Sequence, residues 1–176
     1  MATVLIPLPA RDFDPTEAAV SWKVLSSAGH AVRFATPDGT RSFADDLMIS
    51  GEGLDPWGFV PGLRKLKVIG AMVRANADGR AAYAELERDA AFLAPLRYDV
   101  LGGARFDGLL LPGGHRARGM RPYLESEVLQ SLVVRAFAEN VRVAAVCHGV
   151  LLAARSISPA TGRSVLHGRR TTSLTS

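Results

Sequence analysis

The feature that most constrains this chain is a rhythm. Short apolar runs stop at glycine or proline and hand over to helical patterns. Thr3–Pro7 (TVLIP) is the first such run, and it suits a strand buried on both faces of a parallel sheet. Asp14-Pro15-Thr16-Glu17 follows with helix-start chemistry. Asp14 can accept from the free N–H groups of the first turn, Pro15 fits the first helical position, and Glu17 can close a capping box. Ala19, Val20, Val24 and Leu25 give this helix an apolar face, and Gly29 ends it. Residues 31–35 (AVRFA) read as the second strand, closed by the turn Thr36-Pro37-Asp38-Gly39. Residues 3–35 therefore form a βαβ unit with a right-handed crossover.

The rhythm breaks over residues 40–100 and then returns. That middle stretch is read as an insertion covering one edge or mouth of the domain, with helices over residues 63–76 and 80–93 separated by Asp78-Gly79. The competing reading is an ordinary helical layer on the sheet. Residues 106–112 (FDGLLLP) form a strand ending in Gly113-Gly114, and residues 124–139 a helix with Val128, Leu129, Leu132, Val133 and Phe137 in its core stripe. Residues 141–146 form the next strand, with Cys147-His148-Gly149 at its end and a helix over residues 150–156. Residues 165–174 have room for one more strand. The whole reads as a doubly wound, mostly parallel α/β sheet, whose ligand sites lie beyond the carboxyl ends of the strands.

Composition narrows the function classes. With 176 residues, 48% hydrophobic and 22% charged, the chain has material for one domain with a packed core. No apolar run is long enough to span a membrane. The opening MATVLIPLPARDFD lacks a basic leader and reads as a buried strand, so a cytoplasmic location is expected. One cysteine excludes an intrachain disulfide framework and a thiolate-rich zinc site. No ligand spacing supports another metal, and no cofactor is expected. The net charge of +4 comes from scattered residues, with small groups at Arg116/Arg118/Arg121 and Arg169-Arg170. No interleaved aromatics form a base-stacking platform, so nucleic acid is not an expected partner.

The strongest chemical signal is AAVCHGVLL. A buried strand runs into a cysteine, a histidine, a glycine and a helix, which is the logic of a nucleophile elbow. The new helix aims its N–H groups at Cys147 and favours the thiolate. The N–H of His148 can donate to an oxyanion, and its ring is either the base or a bystander. Gly113 and Gly114, at the end of the preceding strand, can bring backbone N–H groups to the same oxygen. Glu17, at the first strand-to-helix turn, can approach the sulfur and act as acid or base. Buried beside a thiolate it would stay protonated. His115 is a candidate pocket residue, and His30 and His167 read as surface or loop positions. The bland alternatives are a buried structural thiol at Cys147 and a pure capping role for Glu17.

Taken together, FDGLLLPGGH, AAVCHG and GRRTT, with the opening βαβ unit, resemble the ThiJ/PfpI family of the class I glutamine amidotransferase-like superfamily. The resemblance covers residues 3–39 and 99–174. It implies a flavodoxin-like fold with helices on both faces, a homodimer and a small-molecule substrate. It makes Cys147 the elbow cysteine, Glu17 the carboxyl beside it and His148 the histidine after the nucleophile. The family's activities include glyoxalase III-type hydration of methylglyoxal, deglycation, peptidase and isocyanide hydratase chemistry, and holding chaperones. The long middle segment resembles the larger glyoxalase- and chaperone-like members.

Reactive-carbonyl chemistry at Cys147 is the leading expectation. A chaperone or redox sensor with little turnover, or a cysteine hydrolase or hydratase, are the alternatives. Peptidase-like members carry a glutamate about where Arg118 stands, and amidotransferases use a later His-x-Glu that does not follow Cys147 here. The third triad acid of larger members would fall where this chain ends, at Ser176. The family pattern therefore leads one to expect a domain shortened at its C-terminus, exposing a sheet edge and apolar helix surface.

Overall fold

The computed structural model describes residues 1–172. Strand β1 (Thr3–Pro7) leads through β2 (Arg11–Phe13) into α1 (Pro15–Ser27) and β3 (Ala31–Thr36). The middle stretch supplies β4 (Phe43–Ala44), α2 (Asp46–Ser50), α3 (Ile69–Val73), α4 (Ala77–Leu86), α5 (Ala90–Leu93), β5 (Leu96–Arg97) and a 3-10 helix (Tyr98–Gly103). Then come β6 (Gly108–Leu111), α6 (Ala117–Leu124), α7 (Glu127–Ala138), β7 (Arg142–Ala145) and α8 (Gly149–Arg155). The small hairpin of β8 (Ile157–Ser158) and β9 (Arg163–Ser164) follows.

The central sheet has the order β5-β3-β1-β6-β7, and every pairing in it is parallel. The chain winds from β1 outward to β3, then returns to place β6 on the other side of β1. That reversal opens a crevice at the carboxyl ends of β1 and β6, where open α/β sheets bind ligands. Side chains alternate across the sheet as strand geometry demands. Leu5, Leu109 and Leu111 pack with Leu129, Leu132 and Val133 of α7. Val4, Ile6 and Leu110 face the opposite layer, with Ala18, Ala19 and Leu86 of α1 and α4.

Helix α1 starts as its sequence predicts. Asp14 Oδ1 accepts from the N–H groups of Thr16 (2.8 Å) and Glu17 (3.1 Å), and Pro15 sits in the first turn. The Glu17 carboxylate does not close a capping box. It turns instead toward Gly113.

Several local expectations change. Residues 63–65 form a turn and residues 66–68 no helix, so of the helix expected over residues 63–76 only Ile69–Val73 is helical. Asp78-Gly79 does not separate two helices. It lies in the first turn of α4, where Asn76 Oδ1 accepts from the Gly79 N–H at 2.7 Å. A Cβ at Gly79 would stand 2.7 Å from Thr16 Oγ1, so this glycine serves the close approach of α4 to α1. The long helix expected over residues 124–139 is divided, with α6 ending at Leu124 and Ser126 capping α7 through the Leu129 N–H. Residues 165–172 form no strand, and residues 173–174 of that expected strand lie outside the described residues.

Helices α4 and α5 form part of a helical layer, whereas β4 pairs with β2 beside the crevice. On the α1 side of β6 and β7 lies an open apolar groove of about 660 Å³, lined by Val20, Val24, Leu110 and Ala144 among others. Among the described residues β7 is the edge of the sheet.

Replacing Asp14 with alanine removes the acceptor for two first-turn N–H groups. Asp14→Ala is expected to cost about 1–2 kcal/mol in urea unfolding. An unchanged midpoint would show that the cap adds nothing to stability.

Candidate active site

Two glycine-bearing turns meet at the carboxyl ends of β6 and β7. The Val146 N–H donates to the Leu111 carbonyl at 2.9 Å, carrying the strand pairing to the edge of the turns. A Cβ at Gly149 would run into that same carbonyl, and a Cβ at Gly113 would stand 2.7 Å from the His148 nitrogen. Both positions therefore need glycine for the turns to pack. Cys147, between them, has φ +50. A left-handed non-glycine residue costs about 1–3 kcal/mol and persists where its surroundings over-determine it. This is the elbow geometry, and it leaves the sulfur half-buried at the mouth of the crevice.

Glu17 reaches the same point from α1. Its Oε2 accepts from the Gly113 N–H at 2.6 Å, and the Asp14 N–H donates to the Gly113 carbonyl at 2.9 Å. The start of α1 is thus bonded to both sides of one glycine. β1 and β7 are not neighbours, because β6 stands between them, and Glu17 spans that gap by way of Gly113. The Gly113 N–H expected for an oxyanion is consequently engaged by Glu17. The Gly114 N–H has no acceptor among the described residues.

The electrostatics differ from the helix-dipole expectation. Burial pushes the Cys147 thiol up, the Glu17 carboxylate pushes it the same way, and the His148 N–H pulls it back. Burial likewise raises Glu17, opposed by its bond from Gly113. One proton on the Cys147–Glu17 pair satisfies both directions, since two adjacent negative charges are costly. The seven-residue α8 does not outweigh these effects.

His148 Nδ1 lies 3.4 Å from the Cys147 sulfur. No carboxylate is within ion-pair distance of its ring among the described residues. The ring instead meets His115 edge-on, with centroids 6.1 Å apart, and His115 Nδ1 is 3.8 Å from Asp14 Oδ2. His115 therefore joins the site's surroundings. His30 and His167 lie elsewhere, where His30 Nδ1 accepts from the Ala2 N–H and His167 contacts Arg163. Among the described residues no three His, Cys, Asp or Glu side chains converge as metal ligands.

Sequence reasoning missed the ionic latch beside the site. The buried Asp12 carboxylate takes two hydrogen bonds from Arg118, at 2.9 and 2.8 Å. That pairing holds Asp12 below the usual carboxylate range. Arg116 approaches Asp12, Asp45 and Asp46 at 3.5, 3.6 and 2.7 Å. These pairs bind the start of α6 to the β2–β4 unit. The arginine group was visible in the sequence, but its acids come from distant segments. Tyr123 was also missed: its hydroxyl is fully buried without a partner among the described residues.

The chain belongs to the ThiJ/PfpI family, since a ThiJ/PfpI family-like profile matches residues 8–172. Solved structures of similar fold include oxidised DJ-1 from Toxoplasma gondii, at 16% identity and TM-score 0.58, over 98% of this chain and 67% of that one. The rapid encystment protein of Francisella tularensis is 14% identical with TM-score 0.57, over 94% of this chain and 67% of its own. Glyoxalase III from Candida albicans is 18% identical with TM-score 0.53, over 93% of this chain and 64% of its own. The chain thus spans about two-thirds of the length of these structures. No curated protein matches it in sequence. At these identities the likeness shows the flavodoxin-like fold. No helix among the described residues is long and apolar enough to cross a membrane.

The charge arrangement has a measurable signature. Because the Glu17 carboxylate raises the Cys147 thiol, Glu17→Gln removes a negative neighbour and shifts iodoacetamide alkylation of Cys147 to lower pH. A shift to higher pH would mean that a protonated Glu17 stabilises the thiolate instead.

Proposed function

We propose that the protein is a cysteine-dependent enzyme acting on a small reactive carbonyl, by glyoxalase III-like hydration of methylglyoxal or by deglycation. The observation that carries this reading is the left-handed Cys147 at a strand–helix elbow, with Glu17 anchored beside it through Gly113. A reactive cysteine needs a base, and Glu17, whose proton affinity burial raises, is placed to take the thiol proton.

As the sulfur bonds to the aldehyde carbon, the thiol proton passes to Glu17 and the carbonyl π pair moves to oxygen. The developing charge is met by the N–H groups of Gly114 and His148. Proton return gives a hemithioacetal. Loss of the C1 proton and reprotonation at C2 then leave a thioester, with the His148 imidazole, 3.4 Å from the sulfur, as second proton carrier. Water releases lactate, and the net change is addition of one water. No oxidant is needed. The reaction belongs in the cytoplasm, where such carbonyls arise.

A second reading, a holding chaperone, is favoured by one observation. The segment around residues 59–73 exposes Phe59, Leu66, Val68, Met72 and Val73. Exposed apolar surface of that kind suits binding of unfolded clients. Suppression of client aggregation that survives Cys147→Ala supports it, and no suppression by either form removes it.

The enzyme reading predicts that Cys147→Ala abolishes lactate formation from methylglyoxal while the circular dichroism and melting temperature stay close to those of the parent. Undiminished turnover in that variant would remove Cys147 from the mechanism.

A further inference from the structure

Between α6 and α8 lies an open pocket of about 260 Å³ whose arginines have no part in the steps above. Gly114, His115 and His148 line it, so it adjoins the carbonyl-binding end of the crevice. Arg121, Glu125 and Arg155 line it as well. Arg121 and Glu125 neutralise each other, with Nε 3.1 Å from Oε1. Arg155 is exposed at the rim of this pocket, and its guanidinium has no ion-pair or hydrogen-bond partner among the described residues. As the last residue of α8 it also complements the helix's negative end. That role does not require the side chain to border a cavity shared with His148.

We infer that this cavity recognises an oxyanion group carried by the carbonyl substrate, with Arg155 as the anion-binding residue. The inference rests on Cys147 being the residue that attacks the carbonyl. The cavity holds one unneutralised guanidinium and two imidazoles, and its single carboxylate is already paired. A planar guanidinium suits a carboxylate or a phosphate. Arg155 is the seventh residue after His148, about 10 Å along the helix axis. Aldehydes whose anion stands several bonds from the reacting carbon, a four-carbon aldehyde acid or a phosphorylated aldehyde, have the length to reach along the helix to Arg155. The first step is the addition already described. The Cys147 sulfur bonds to the aldehyde carbon, the π pair moves to oxygen and the thiol proton ends there. It is reversible and needs no co-reactant.

The test is protection of Cys147 from iodoacetamide in the whole chain, read by mass spectrometry. Succinate semialdehyde is compared with butyraldehyde, and glyceraldehyde 3-phosphate with glyceraldehyde. At least one charged member is expected to protect at roughly tenfold lower concentration than its neutral partner, the worth of one charge-assisted hydrogen bond. The pair that shows the difference identifies carboxylate or phosphate. Arg155→Gln is expected to bring the ratio to about one, and Arg155→Lys to restore part of it. Equal protection by charged and neutral members, or a preference that survives Arg155→Gln, would overturn the inference. Protection by no aldehyde of either kind would overturn the carbonyl reading itself, and this inference with it.

Discussion

The site depends on the hydrogen bonds that tie the start of α1 to Gly113. Glu17 Oε2 accepts from the Gly113 N–H, and the Asp14 N–H donates to its carbonyl. These contacts join residues nearly a hundred positions apart. They fix the turn after β6 against the start of α1, while Gly113 and Gly149 let that turn meet the one after β7. They also place a half-buried carboxylate beside the Cys147 sulfur. Without the bond to Gly113, Glu17 would be a buried carboxyl with one fewer donor, and its proton would be harder to release.

This arrangement accounts for the unusual protonation of the site. A helix N-terminus alone would favour a thiolate. Here desolvation and the neighbouring carboxylate push the Cys147 thiol up, so it keeps its proton at neutral pH. The strained backbone at Cys147 is held by packing on both sides, which is how a strained residue stays in place.

Much of the fold was legible because it is encoded locally. The apolar run of β1, the Asp14-Pro15 helix start and the LLLPGG and AAVCHG strand ends each carry their own signal. What was hidden depends on long-range pairing. Pro122 lies inside α6, where it removes a helix hydrogen bond, and no side chain caps that helix. Ion pairs from Arg116 and Arg118 to acids in other segments hold its start, and local propensity cannot report them. Residues 63–68 have a helical composition but no buried apolar face to hold a helix, so they form none. At the site, local sequence singles out Cys147, His148 and Glu17, and the fold brings them together. The engagement of the Gly113 N–H by Glu17 is not legible there, because only the fold brings those atoms together.

If Cys147 and Glu17 share one proton at neutral pH, they titrate as one pair. Carbon-13 NMR of labelled Cys147 Cβ and Glu17 Cδ, followed together against pH, reads this. Both resonances are expected to sense both steps, with the carboxyl and the thiol each titrating above the ordinary range for its type. Independent single titrations, with Cys147 already a thiolate and Glu17 an ordinary carboxylate at neutral pH, would contradict it.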